Sequence, residues 1–317
     1  MDKKIEKKIE KNMFDWVGSN TVESEGISRP SISYWKDAMH RLKKNKVAMV
    51  CLAIILFIAA MSIIVPIVSP YTISEQHYDH TDAPMFTRDA EDGHLHIFGT
   101  DTLGRDIFTR IWSGGRVSLF IAITAVFINC IIGIIYGGIS GYAGGAVDNL
   151  MMRIIEIING IPYLIIVILL MMVLEPGVMT MVVAYAAVGW TGMARLVRGQ
   201  VMSLKQQDYI TAARVMGARP SRIIFKHLIP NTLSVVIVNM TLAIPSVIFT
   251  EAFLSYIGLG VPVPKSSWGM MASEGSIVFQ TYPSQMLIPA ICISLTMLSF
   301  NLLGDGLRDA LDPRLRR

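Results

Sequence analysis

The chain has 317 residues, of which 52% are hydrophobic and only 16% charged, well below the roughly 25% charge of soluble domains. That balance points to a polytopic membrane protein. The net charge of +4 calls for no nucleic acid, because membrane proteins keep Lys and Arg on their cytoplasmic loops. Cys51, Cys130 and Cys292 each lie in an apolar run without a CxxC pair, which argues against a disulfide framework or a zinc site.

Residues 1–30 are rich in Lys, Glu, Ser and Asn and read as a mobile cytoplasmic tail. Over 31–46, Ile32, Trp35, Met39 and Leu42 recur at helical spacing, with Lys36, Arg41 and Lys43 between them. This suits an amphipathic helix lying on the inner membrane surface; a solvated linker is the plainer alternative. Residues 47–74 then carry no charge. A helix needs about 20 apolar residues to cross a bilayer, so a first span is expected at about 47–69. It starts too far from the N-terminus, and runs too long, for a cleavable signal peptide.

An external loop, 70–116, follows. It holds four of the six histidines, His77, His80, His94 and His96. Their spacing could suit a metal, but equally a solvated polar loop. The second span, about 117–140, ends in a stripe of glycines at every fourth position, Gly133, Gly137, Gly141 and Gly145. Such a stripe lets another helix approach closely, although Gly144 and Gly145 could instead make a turn. Further charge-free runs at 157–174, 176–194, 228–250 and 275–304 predict spans at about 154–174, 177–197, 232–256 and 286–304. Between the fifth and sixth lies "GLGVPVPKSSWGMMASEG", a second external loop rich in Gly, Pro and Ser.

Six crossings put both termini on one side. The loops on that side carry 23 Lys or Arg and the opposite loops 5, so both termini are expected in the cytoplasm. Arg116 and Glu251 border the outer ends of spans two and five, and ionisable groups at such depth are candidates for a translocation path or its gate. Catalytic signatures are missing. There is no Gly-Lys dipeptide, hence no phosphate-cradling loop for ATP, and no HExxH or GxSxG.

The cytoplasmic loop 198–231 contains "DYITAARVMGARPSRIIFKHLIPN". Asp208 is expected at a helix start, capping free amides. Tyr209, Ala212, Ala213 and Met216 then fall at i, i+3, i+4 and i+7, on one small apolar face. Gly217 comes where a left-handed helix end would need it, and Pro220 opens a second helix. The residues alone leave two readings open: a docking surface for a soluble partner, or a plain surface hairpin.

This stretch resembles the cytoplasmic "EAA" loop of ABC-importer permeases. Ala212, Ala213, Gly217, Ile229 and Pro230 match, while Thr211 stands where the family has Glu, so no Glu-specific contact carries over. The segments "HIFGTDTLGRDIFTR", "GYAGGAVDNLMMR", "TEAFLSYIGLGVP", "SSWG" and "NLLGDGLRDALDPRL" are similar to the C-type permeases of dipeptide and oligopeptide importers, from about Ser33 onward. The resemblance implies an all-α type I permease fold with six transmembrane helices, in a bacterial cytoplasmic membrane. It implies a heterodimer with a homologous B-type permease, two ATPase subunits that bind ATP and Mg, and an extracytoplasmic peptide-binding protein. This chain would then have no cofactor, metal or catalytic residue, and would contact membrane lipid but no nucleic acid. In that family the EAA helix seats in a groove of the ATPase, which gives Asp208, Tyr209, Ala212, Ala213, Met216 and Gly217 a coupling role. An importer of nickel or another small solute on the same scaffold is the alternative.

Overall fold

The computed structural model describes residues 33–89, 93–262 and 264–312; the expected tail, 1–30, lies outside them. The first described helix, α1 (Tyr34–Lys44), buries Ala38 and Leu42 and leaves Trp35 and Met39 about half exposed. Asn45 then caps α2 (Lys46–Val68) by accepting from the Ala48 amide at 3.1 Å. Long apolar side chains such as Val50, Phe57 and Ile64 are exposed along α2, as suits a helix at the rim of a bundle facing lipid.

The external loop contains a two-residue hairpin, β1 (Thr87–Arg88) against β2 (Leu95–His96), with Thr87 opposite His96. Asp106 closes the loop by capping α3 (Ile107–Ala143): its Oδ2 accepts from the Thr109 amide and hydroxyl at 2.7 Å each. With 37 residues, α3 is about 55 Å long, nearly twice the roughly 30 Å hydrocarbon core. The expected second span, 117–140, is therefore the inner part of a longer rod whose outer turns belong to the external loop.

Next come α4 (Gly145–Gly160) and α5 (Tyr163–Val173), bent by 79° at the intervening Ile161 and Pro162. Proline disfavours helical geometry in the residue before it, and Ile161 is extended at φ −90°, ψ 125°. The expected fourth span falls on α6 (Val178–Val188) and α7 (Trp190–Leu204), which meet at Gly189. After the short α8 (Asp208–Val215) comes α9 (Pro220–Leu259), whose turns widen at Ile223–Leu228 and Ser255–Leu259. The chain then forms α10 (Trp268–Ile277) and α11 (Ser284–Leu311). By length and composition α2, α3, α6–α7, α9 and α11 could each cross a membrane, and the bent α4–α5 pair adds a sixth if taken as one span.

The core lies where α3 meets its neighbours. Glycine replaces bulk along the α3–α7 seam: a Cβ on Gly133 would lie 2.6 Å from Met193, one on Gly137 would overlap the Ala194 carbonyl, and one on Gly141 would lie 2.8 Å from the Arg198 carbonyl. Gly145 does not join this stripe. It sits in the turn at φ +55° with nothing within 4 Å of its missing Cβ. At the outer end, fully buried Trp268 folds α10 back onto α3 and donates its indole N–H to the Ile111 carbonyl at 2.9 Å. The first and last described helices are also tied together, because the Tyr34 hydroxyl donates to the Leu311 carbonyl at 2.7 Å.

Candidate functional site

The 208–231 stretch forms a short helix on a fixed base. Gln207, extended at φ −75°, ψ 146°, holds the N-cap position. Asp208 is therefore the first helical residue and not the cap, although its charge still lies beside the free first-turn amides. At the other end the Ala218 amide donates to the Ala213 carbonyl, and the Gly217 amide to the Arg214 carbonyl, each at 3.0 Å. This is the paired bonding of a helix stopped by a left-handed residue, and Gly217 supplies it at φ +79°. Arg219 then caps a new helix, with Pro220 in its first turn.

Burial decides which face of α8 is available. Ile210 is fully buried and Ala213 is 6% exposed; Ile210 packs with Val197, Val201, Ile223 and Leu228. Ala213 therefore turns inward, not to an open face as the helical spacing suggests. On the opposite side Tyr209 is 43%, Val215 83% and Met216 81% exposed, with Ala212 exposed between them. The available apolar edge is Tyr209, Ala212, Val215 and Met216, flanked by exposed Thr211 and Arg214.

Polar ties brace this region from behind. Arg198 on α7 holds Asp148 on α4 through two bonds of 2.5 Å, and Ser140 on α3 donates to the same carboxylate. Lys205 donates to the Tyr142 carbonyl and sits 5.5 Å from that ring. Three helices behind α8 are thus cross-linked. Nothing in the segment "GYAGGAVDNLMMR" names a partner for Asp148, and Arg198, fifty positions away, carries no local signal.

Arg116 and Glu251 do not form one group. Glu251 is 1% exposed and accepts from the Ser118 and Ser255 hydroxyls at 2.9 Å each. Ser118 also accepts from the Trp268 amide at 3.3 Å, so Glu251 sits in a hydroxyl-lined joint between α3, α9 and α10. Arg116 is exposed, on the wall of a separate recess of about 380 Å³ that it shares with Lys265 and Met179. The outer ion pairs use other residues: Asp101 holds both Arg105 and Arg110, and Glu274 on α10 reaches the same two guanidiniums at 3.1 and 2.7 Å.

Three of the four loop histidines surround Asp89. His77 Nδ1 lies 3.0 Å, His80 Nε2 3.8 Å and His96 Nε2 3.9 Å from its carboxylate, while His96 Nδ1 is 2.9 Å from Asp106. Among the described residues no three His, Cys, Asp or Glu groups are set to hold a metal ion. Ring stacking of His96 on Tyr71, 4.4 Å between centroids, makes this a packed loop interior.

Comparison with known proteins bears on the whole chain. The family described as "Binding-protein-dependent transport system inner membrane component" matches residues 133–317, and "N-terminal TM domain of oligopeptide transport permease C" matches 33–85. The oligopeptide transport system permease protein OppC of Bacillus subtilis (strain 168) is 49% identical, over 98% of this chain and 99% of that one. The dipeptide transport system permease protein DppC of the same organism is 50% identical, over 93% and 90%. OppC of Escherichia coli (strain K12) is 42% identical, over 96% and 100%. Among solved structures, a chain of the MetNI methionine ABC transporter superposes with a TM-score of 0.52 at 20% identity, over 64% of this chain and 94% of that one; this likeness speaks to fold alone.

Proposed function

The chain belongs to the family of binding-protein-dependent transport system inner membrane components, and from that premise we propose that it is the C-type permease subunit of an ATP-driven peptide importer in a bacterial cytoplasmic membrane. Identity of 49% to an oligopeptide permease and 50% to a dipeptide permease, each over nine-tenths or more of the chain, is the observation that carries the substrate class. The chain pairs with a homologous B-type permease to enclose a path. An extracytoplasmic binding protein delivers the peptide, and two ATPase subunits hold ATP and Mg and drive the cycle.

Coupling runs through α8. Its exposed edge of Tyr209, Ala212, Val215 and Met216 enters the ATPase, while Ile210 and Ala213 anchor the helix to the start of α9. Gly217 sets the bend between the two helices. Closure of the ATPases pushes α8, and the Asp148–Arg198 and Lys205–Tyr142 ties carry that push to α3, α4 and α7. Both termini lie in the cytoplasm in this reading. The partition of basic residues supports that placement, and the bond between Tyr34 and Leu311, which holds the first and last described helices together, supports their lying on one side.

Uptake of labelled peptides and of nickel by cells lacking this gene, and by the same cells with it restored, tests the assignment. Restoration of peptide uptake alone is expected. Restoration of nickel uptake without peptide uptake would overturn it.

A further inference from the structure

Helices α2 and α11 touch at the end nearest the termini, where Gly306 stands against Ala48: a Cβ on the glycine would lie 2.5 Å from that of the alanine. Beside this contact a groove of about 370 Å³ opens between the two helices. Val47, Val50 and Ile54 form one wall, and Leu295, Leu298 and Leu302 the other. Both sets fall at i, i+3 and i+7, so each wall is one helical ridge. Val50 is 58% and Leu298 55% exposed, and no acid lines the groove. Its one charged lining residue is Lys46. Lys43 and Lys44 end α1 just before it, and all three lysines are exposed. Nearby acids do not neutralise them. Asp37 is held by Arg41 at 2.6 Å. Among the described residues none of the three lysines makes an ion pair with Asp305, which is exposed one turn beyond Leu302.

An apolar groove with cations at one end fits an amphiphile whose head is anionic. Apolar walls alone would select nothing, because lipid tails are as apolar as leucine and gain little by leaving the bilayer for the groove. Basic residues at a membrane surface do select: they attract anionic headgroups, and lysine binds phosphate as a point charge. The ridges therefore fix where a chain lies, and the lysines fix which headgroup it carries. The groove is also continuous with the face of α2 whose long apolar side chains are turned outward.

We propose that the groove between α2 and α11 holds an anionic phospholipid, with its phosphate at Lys43, Lys44 and Lys46 and an acyl chain between Val50 and Leu298. The lipid lies in the leaflet on the side of the termini and fills the corner where α1, α2 and α11 meet. The site is independent of which solute the chain transports.

The test purifies the full chain through a tag, with whatever subunits accompany it, and places it in nanodiscs of phosphatidylglycerol and phosphatidylcholine in equal amounts. Mass spectrometry then counts the lipid retained on release into detergent. The unmodified protein should retain phosphatidylglycerol in preference to phosphatidylcholine. Lys43→Gln, Lys44→Gln and Lys46→Gln together should lower that preference about ten-fold or more, because each basic residue adds to the attraction. Leu298→Trp fills the groove without changing charge and should also release phosphatidylglycerol. Ile67→Trp, at a 74% exposed position toward the other end of α2, should leave retention as it was. Excess inorganic phosphate should not displace the lipid, which separates an anchored headgroup from a site for free anions. Unchanged retention in either the lysine or the Leu298 variant would overturn the proposal. So would an equal loss with Ile67→Trp, or displacement by phosphate alone.

Discussion

Met216 is an 81% exposed apolar side chain at the C-terminal cap of α8, and it gives the cleanest test of docking. A carboxylate there would be buried without a partner once the ATPase is seated. Mispairing a desolvated group at an interface centre commonly costs about 2 kcal/mol or more, or about 30-fold in affinity. Met216→Asp should therefore strip the ATPase subunits from the purified permease at normal membrane abundance, whereas Thr211→Ala, on the exposed polar flank, should be mild. Equal ATPase recovery with Met216→Asp would remove α8 as the docking element. Ala213→Asp tests something else: the charge would be forced into a position only 6% exposed and destabilise the loop itself, so abundance should fall as well. Behind the loop, Arg198→Ala leaves Asp148 without its guanidinium. Removing one partner of a fully buried pair costs about 3–5 kcal/mol. Arg198 is 29% exposed, so a loss of about 1–3 kcal/mol is expected, read as a lower melting temperature in detergent; an unchanged melting temperature would show that the pair braces nothing.

Packing between elements follows sequence periodicity where that periodicity is long. Gly133, Gly137 and Gly141 stand out at every fourth position, and α7 lies against all three. Gly137→Leu should force α3 and α7 apart, at about 1–3 kcal/mol or more, and lower the yield of folded protein; wild-type yield and melting behaviour would show the seam to be loose. Other features were not legible, for physical reasons. Arg110 and Arg116 interrupt the apolar run and made α3 look shorter than it is, because the carboxylates that hold Arg110 come from Asp101 and from Glu274 far along the chain. In α8 only eight residues define the faces, and alanine marks neither an inner nor an outer side. The sequence pattern placed the helix, the Gly217 stop and the Pro220 restart, but only burial in the folded chain reveals that Ala213 turns inward and Val215 outward.

At the scale of the whole molecule the reading is of a transport subunit, with hydrolysis in separate chains. A reporter fused after Arg317 should report cytoplasm, and one inserted near Asp92 should report the outside; the reverse for either would break the six-crossing arrangement. Purified alone, the chain should hydrolyse no ATP, since it has no phosphate-binding loop. The claim that joins α8 and the family is that this chain is an indispensable half of an ATP-driven peptide path. Its most direct measurement is accumulation of labelled peptide in proteoliposomes holding this chain, its partner permease and both ATPases, with the binding protein supplied on the side opposite the ATPases. Peptide should accumulate only when ATP is present and this chain is included. Accumulation that persists without the chain, or that needs no ATP, would contradict the account.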